Sequence, residues 1–270
     1  MNRFYIITNR TKDTTLEVTR RIQSYIVDKG RECFLASDYT EVPEAIDCIL
    51  VVGGDGTLIR AARELFSQNI PMMGINMGTL GYLTEAEIAN VEEYLDDLFE
   101  DRAQLEERMM LKGNIVGKVE KIALNDIVLT RCGALRLIEF DVFVNGVLLN
   151  TYRADGMIIS TPTGSTAYNL SAGGPIVEPT AEMIVVTPIC PHSLNTSSIV
   201  LSAGDEIVLQ IGKGRNGGTE EASICFDGEQ NVAVQTGDKI VITKAENTTK
   251  LLKVRKSSFL EILRTKMKGN

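Results

Sequence analysis

The sequence predicts an α/β plus all-β chain: a Rossmann-like parallel α/β domain over residues 1–105, then a β-sandwich-like, β-rich domain over 106–270 with a short C-terminal helix. Three observations predict it. Short apolar runs alternate with amphipathic segments at the start, which is the pattern of a parallel sheet covered by helices. From about Met109 that period gives way to the two-residue alternation of half-buried strands. Finally, 270 residues that are 44% hydrophobic can bury a sizeable core, at a length as compatible with two modest domains as with one large one.

In the first part, Phe4 to Ile7, Cys33 to Leu35, Cys48 to Val52 and Ile70 to Met73 read as strands buried on both faces. Between them Val18, Ile22, Tyr25 and Ile26 share one helical face. So do Leu58, Ala61, Ala62, Leu65 and Phe66, and again Val91, Tyr94, Leu95, Leu98 and Phe99. In the second part Ile138, Phe140, Val142 and Val144 alternate with Glu139, Asp141 and Phe143, and Asn145-Gly146 supplies a tight hairpin turn. Further strands are expected at Met157 to Ser160, Met183 to Thr187, Ile207 to Ile211, Ala222 to Phe226 and Lys239 to Thr243. Phe259, Ile262, Leu263 and Met267 predict the last helix.

Composition narrows the function. With 28 Lys plus Arg against 36 Asp plus Glu, a net charge of −8 argues against charge-driven binding to nucleic acid or an anionic membrane. Any phosphate site must be local. The five cysteines are odd in number, scattered and never in C-x-x-C, which fits a reducing cytoplasm and neither a disulfide framework nor a zinc site. The apolar run at Phe4–Ile7 is too short for a signal peptide, and no later stretch approaches the roughly 18 apolar residues of a membrane span.

Three segments carry chemistry. Gly53-Gly54-Asp55-Gly56-Thr57 sits between a buried strand and a helix, where free N–H groups and the positive helix end attract phosphate. No Gly-Lys-Ser/Thr follows, so it is not a Walker A loop. A carboxylate is repelled by phosphate, so Asp55 is expected to take a hydroxyl proton or position Mg²⁺. The bland reading is a tight turn with Asp55 opening the helix. Gly74-Ile75-Asn76-Met77-Gly78-Thr79-Leu80-Gly81-Tyr82-Leu83 follows the next strand at the edge where such sheets bind ligands. Asp155 to Pro175 gathers hydroxyls, small residues and glycines around the single ring of Tyr168, as a loop built for close ligand approach.

Together with Ala123-Leu124-Asn125-Asp126 and Pro188-Ile189-Cys190-Pro191-His192, these segments resemble the NAD kinase family over nearly the whole chain. Residues 1–50 and 212–221 lie outside the resemblance. Gly-Gly-Asp-Gly-Thr alone is also similar to diacylglycerol and sphingosine kinases, whereas Ser160-Thr161-Pro162-Thr163-Gly164-Ser165-Thr166-Ala167-Tyr168 points to the NAD-directed branch.

The resemblance implies ATP-dependent phosphorylation of NAD at the adenosine ribose 2′-hydroxyl, with Mg²⁺ or another divalent cation accompanying ATP. It implies Asp55 as base, Gly53, Gly54, Gly56 and Thr57 as the ATP or phosphate loop, and Gly56 also as an NAD contact. Asn125 and Asp126 would hold dinucleotide ribose and base; many members have Glu at the second position, so the shorter Asp126 alters that contact. Thr166, Ala167, Tyr168, Asn169, Leu170 and Ser171 would wrap the adenosine. Asp155 would reach a ligand across a subunit interface in a homodimer or homotetramer. Arg60, Arg136 and Arg153 stand where the family commonly has polar or basic ligand-facing residues. The family's Asp-Gly-Gln is here Asp227-Gly228-Glu229-Gln230, so Gln230 receives no role.

Two alternatives stay open on the residues alone: a lipid kinase sharing Gly-Gly-Asp-Gly-Thr, and a non-catalytic NAD-binding sensor. The first needs an apolar or basic membrane-facing surface, and the second would lack the Asp55 carboxylate. His192, the only histidine, reads as a structural hydrogen-bonder. Gly212 to Gly217 matches G-x-G-x-x-G in spacing but is flanked by strands, and reads as a hairpin loop.

Overall fold

The computed structural model describes residues 1–36, 39, 41–78, 81–84, 86–133, 137–193, 197–214, 217–254 and 258–268, with only the backbone of 230. It divides into two compact units, residues 1–107 with 248–270, and residues 108–247. Residues 248–270, counted with the β-rich half in the sequence reading, group with the first unit. The reason is a strand at Thr249–Lys253 that pairs in parallel with the first unit's sheet.

The first unit's sheet contains β1 (Arg3–Thr8), β2 (Glu32–Leu35), β3 (Cys48–Gly53), β4 (Met72–Asn76), β5 (Ala86–Glu87) and β6 (Gln104–Arg108). Its order is β2-β1-β3-β4, then the Thr249–Lys253 strand, then β6, with β5 beside β4. The pairings among β1 to β5 are parallel. Helices α1 (Glu17–Asp28), α2 (Asp55–Glu64) and α3 (Val91–Phe99) follow the expected apolar periods. Ile22 and Ile26 of α1 and Leu95 and Leu98 of α3 join Phe4, Ile6, Leu50 and Val52 in one apolar cluster. Each such buried side chain stabilises by about 1.5–3 kcal/mol.

Two expectations shift. β2 is partly exposed rather than buried on both faces, because it is the edge strand of the sheet. β4 starts after Pro71, which has no N–H to donate, and runs through Gly74 to Asn76. A Cβ at Gly74 would lie 2.7 Å from Leu58 Cδ1, so this glycine serves close helix-on-strand packing.

The second unit holds two antiparallel sheets. Its strands are β7 (Leu111–Ile115), β8 (Val119–Ala123), β9 (Asp126–Arg131), β10 (Ile138–Val144), β11 (Val147–Ala154) and β12 (Gly156–Ser160). They continue with β13 (Met183–Ile189), β14 (Ile199–Ser202), β15 (Ile207–Ile211), β16 (Glu221–Phe226), β17 (Glu229–Gln235) and β18 (Lys239–Lys244). One sheet runs β11-β10-β15-β18-β7-β8 and the other β14-β13-β12-β9-β16-β17. Phe140, Leu209 and Ile240 of the first share a core with Leu129, Met157 and Phe226 of the second, so the two form a sandwich. Asn145 and Gly146 make the β10–β11 turn with φ of 50° and 78°, the left-handed pair such a hairpin requires. The segment from Gly212 is not a hairpin loop: β15 and β16 belong to different sheets, so it carries the chain from one to the other. The last helix spans Phe259–Met267, opened by a capping box between Ser258 and Glu261.

Candidate active site

In the first unit, the Gly53–Thr57 loop leaves β3 and enters α2, with Gly54 at the N-cap and Asp55 the first helical residue. A Cβ on Gly53 would lie 2.4 Å from Thr57 Oγ1, so only glycine lets the strand turn this tightly into the helix. The loop after β4 folds over the Asp55 carboxylate. Oδ2 accepts the Tyr82 N–H at 2.7 Å, and Oδ1 accepts the N–H groups of Leu83 and Thr84 at 3.2 and 3.1 Å. The Thr84 hydroxyl also donates to Oδ1 at 3.2 Å. A Cβ on Gly81 would stand 1.9 Å from Oδ1, so glycine there is a condition of this grip. Asn76 starts the turn by bonding both the N–H and the carbonyl of Gly78.

The two glycine-rich segments thus make one device, in which the second orients the carboxylate of the first. Sequence reasoning picked out Asp55 and quoted Gly81 but missed the amides of residues 82–84, whose only local signal is Gly81 itself. Thr79 and Leu80 lie outside the described residues. Gly56 is exposed, with open space where its Cβ would be. Arg60 is exposed on α2, its guanidinium 5.0 Å from the Tyr39 ring centre.

In the second unit, Asn125 and Asp126 lie where β8 gives way to β9, and Asp227 holds that turn. Its Oδ2 accepts the Leu124 N–H at 2.9 Å, and its Oδ1 accepts those of Asn125 and Asp126 at 2.7 and 3.2 Å. From the other side the Thr161 hydroxyl donates to the Leu124 carbonyl at 2.6 Å. A Cβ on Gly164 would meet the Asn125 carbonyl oxygen at 2.1 Å, which explains the glycine in the Thr-Gly-Ser-Thr run.

A cavity of about 420 Å³ opens here. It is lined by Asn125, Asp126, Ala167 and Tyr168, which sequence reasoning named, and by Val128, Thr130, Cys225, Asp227, Gly228 and Asn231, which it did not. Its volume lies within the range of small-molecule sites. Tyr168 is 45% exposed, as suits a stacking residue.

Asp126 is only 4% exposed, and burial, with a lesser contribution from the neighbouring Asp227 charge, raises its pKa from 3.8 to about 7. The folded protein therefore keeps a proton that the unfolded chain has lost over this window, so this group's contribution to stability falls as pH rises from 3.8 to about 7. Melting curves across that window should show wild-type stability declining relative to Asp126→Asn, whose amide does not titrate. Parallel pH profiles for the two proteins would show that Asp126 ionises normally.

The remaining named residues lie apart from this cavity or inside the loop. Asn169 is fully buried: its Nδ2 donates to the carbonyls of Ser165 and Pro175, and its Oδ1 accepts from Thr187. Thr166 is half-buried, and Leu170 and Ser171 are exposed. Asp155 accepts from Arg131 Nε of its own chain at 2.7 Å. Arg153 is largely exposed, 3.7 Å from Glu139, and borders a cavity of about 180 Å³ with Tyr152 and His192. His192 donates its backbone N–H to the Arg153 carbonyl. Arg136 falls outside the described residues. Among the described residues, no three His, Cys, Asp or Glu side chains gather as a metal site.

A carboxylate oriented at a helix N-terminus beside glycines, in a parallel α/β unit, and a carboxylate-lined cavity in a β-sandwich unit define a phosphotransferase that handles nucleotides. Residues 38–103 match the ATP-NAD kinase N-terminal domain and residues 124–254 the ATP-NAD kinase C-terminal domain. The chain belongs to the NAD kinase family. It is 48% identical to the NAD kinase of Lachnospira eligens, over 99% of this chain and 100% of the relative. It is 45% identical to that of Agathobacter rectalis, over 100% and 99%. An NAD kinase from Archaeoglobus fulgidus, solved in complex with ATP, superposes with a TM-score of 0.83 at 29% identity over 98% of each chain. Yeast NADH kinase complexed with NADH shares the fold, with a TM-score of 0.88 at 23% identity over 100% of this chain and 88% of the other. The chain is an enzyme, a phosphotransferase for ATP-dependent phosphorylation of NAD, and the lipid-kinase and sensor readings find no support in these comparisons. Among the described residues no helix is long and apolar enough to cross a membrane.

Proposed function

We propose that this enzyme transfers the γ-phosphoryl group of ATP to the adenosine ribose 2′-hydroxyl of NAD, with Asp55 receiving the hydroxyl proton. The observation that carries this reading is the grip of the 82–84 segment on Asp55, which holds an acceptor in one orientation. The ribose oxygen bonds to the γ-phosphorus, the bond to the bridging oxygen breaks, and ADP leaves. Positioning and charge neutralisation supply most of the acceleration in such a transfer.

Gly53, Gly54, Gly56 and Thr57 take the phosphates. Asn125 and Asp126 take ribose and base, and Thr166 to Tyr168 enclose the adenosine while Asn169 braces the loop from within. Arg60, Arg136 and Arg153 are ligand-facing cations of the same reading. A divalent cation fits as one that arrives with ATP: Asp55 is the loop's one carboxylate, and Mg²⁺ commonly binds through one or two carboxylates plus substrate phosphates. It would supply charge neutralisation on the phosphates. The reducing cytoplasm suits the five free cysteines. Purified protein should form NADP from NAD and ATP, with product identified by an NADP-specific dehydrogenase and diacylglycerol as control acceptor. Phosphorylation of the lipid, or a product phosphorylated elsewhere, would overturn the reading.

Asp155 is the residue through which a homodimer or homotetramer would share its sites. Mixing Asp55→Asn chains with Asp155→Ala chains, under conditions of demonstrated subunit exchange, should then give activity above either parent, because some mixed dimers carry one intact site. In its own chain Asp155 is paired to Arg131, so a purely internal role predicts no recovery on mixing.

A further inference from the structure

The phosphate loop of an acidic protein needs a cation nearby, and no residue of the loop itself carries one. The turn that follows β1 does. Asn9 pins this turn to the loop: its N–H donates to the Val52 carbonyl at 2.8 Å, and its side-chain Nδ2 donates to Thr57 Oγ1 at 3.1 Å. Its Oδ1 takes the N–H and hydroxyl of Thr11, and its carbonyl takes the N–H groups of Lys12 and Asp13. The far end is anchored by the buried Asp13, whose carboxylate accepts the N–H and hydroxyl of Thr19 at 2.9 and 2.6 Å.

Between these anchors the Lys12 ammonium comes 3.3 Å from the point a Cβ on Gly54 would occupy. Asp13, next to it in the chain, is engaged with Thr19, and among the described residues Lys12 enters no ion pair. The turn also precedes residue 38, where the match to the N-terminal family domain begins.

We propose that Lys12 is a phosphate-binding cation of the Gly53–Thr57 loop, its ammonium meeting a nucleotide phosphate, that of ATP, held at the α2 N-terminus. The helix end and glycines offer backbone N–H groups, and Lys12 adds the point charge that they lack. The inference rests on reading Gly53–Thr57 as the phosphate loop.

Calorimetric titration of the full-length protein with ATP and Mg²⁺, and separately with NAD, tests it. Lys12→Ala should weaken ATP binding by about tenfold or more, as expected for loss of a charge-assisted contact. Lys12→Arg should restore most of that affinity, while NAD affinity and melting temperature stay near wild type. Gly54→Val, which crowds the loop, should also lose ATP affinity. If Gly54→Val loses ATP and Lys12→Ala does not, the Lys12 role is overturned and the loop reading stands. If neither loses ATP, both fall. If Lys12→Ala weakens NAD alone, the phosphate it meets is the dinucleotide's, and ATP as its partner is overturned.

Discussion

Asp55→Asn should turn over about 10²- to 10⁴-fold more slowly than wild type, the usual contribution of a positioned base. The structure adds a second expected loss. Both oxygens of Asp55 accept N–H groups, Oδ2 from Tyr82 and Oδ1 from Leu83 and Thr84. An asparagine can keep one side of this pattern. Its NH₂ must then face an N–H donor on the other, leaving a backbone group without an acceptor at a cost of about 1–3 kcal/mol. Initial rates of NADP formation with both substrates saturating would measure the first effect, and a calorimetric melt the second. A kcat within a few-fold of wild type would remove Asp55 from the chemistry. A reduced kcat with unchanged stability would show that the 82–84 segment adapts to the amide, leaving the base role in place.

The second large effect is expected at Asp227, which sequence reasoning passed over. Asp227→Ala strips the acceptor from the N–H groups of Leu124, Asn125 and Asp126 at once. Each that finds no water or new partner costs about 1–3 kcal/mol, and for a chain of this size each kcal/mol lowers Tm by about 2–4 °C. Asn125 and Asp126 line the cavity, so the KM for NAD should rise by about tenfold or more while that for ATP changes less. Asp227→Asn, which tolerates the 52° φ of this position and keeps one acceptor oxygen, should fall between the two. Equal changes in both KM values, with Tm unaltered, would show that the turn holds its shape without Asp227.

Much of this molecule was legible because the signals are local. Helix and strand periods marked α1 to α3, β10 and β15. Asn145-Gly146 marked a hairpin through the backbone angles it favours, and the glycines around Asp55 marked a strand-to-helix turn. Strands β7 to β9 carried no comparable signal. Lys112 and Asn114 alternate with the buried Leu111, Gly113 and Ile115 over only five positions, too short a run to stand out from the surrounding chain.

By itself the sequence determined the two-part architecture and the family and singled out the Asp55 carboxylate, because period, turn chemistry and motif are all read within a few residues. Only the tertiary structure decided what that carboxylate touches, since Tyr82, Leu83 and Thr84 lie 27, 28 and 29 residues beyond Asp55. It likewise decided that Asp227 clamps a turn 101 to 103 residues upstream, and that Thr249–Lys253 returns to the first sheet. Backbone N–H groups are identical in every residue but proline, so a grip made by them leaves no trace in side-chain identity. The glycine that permits the approach is all the sequence records of it.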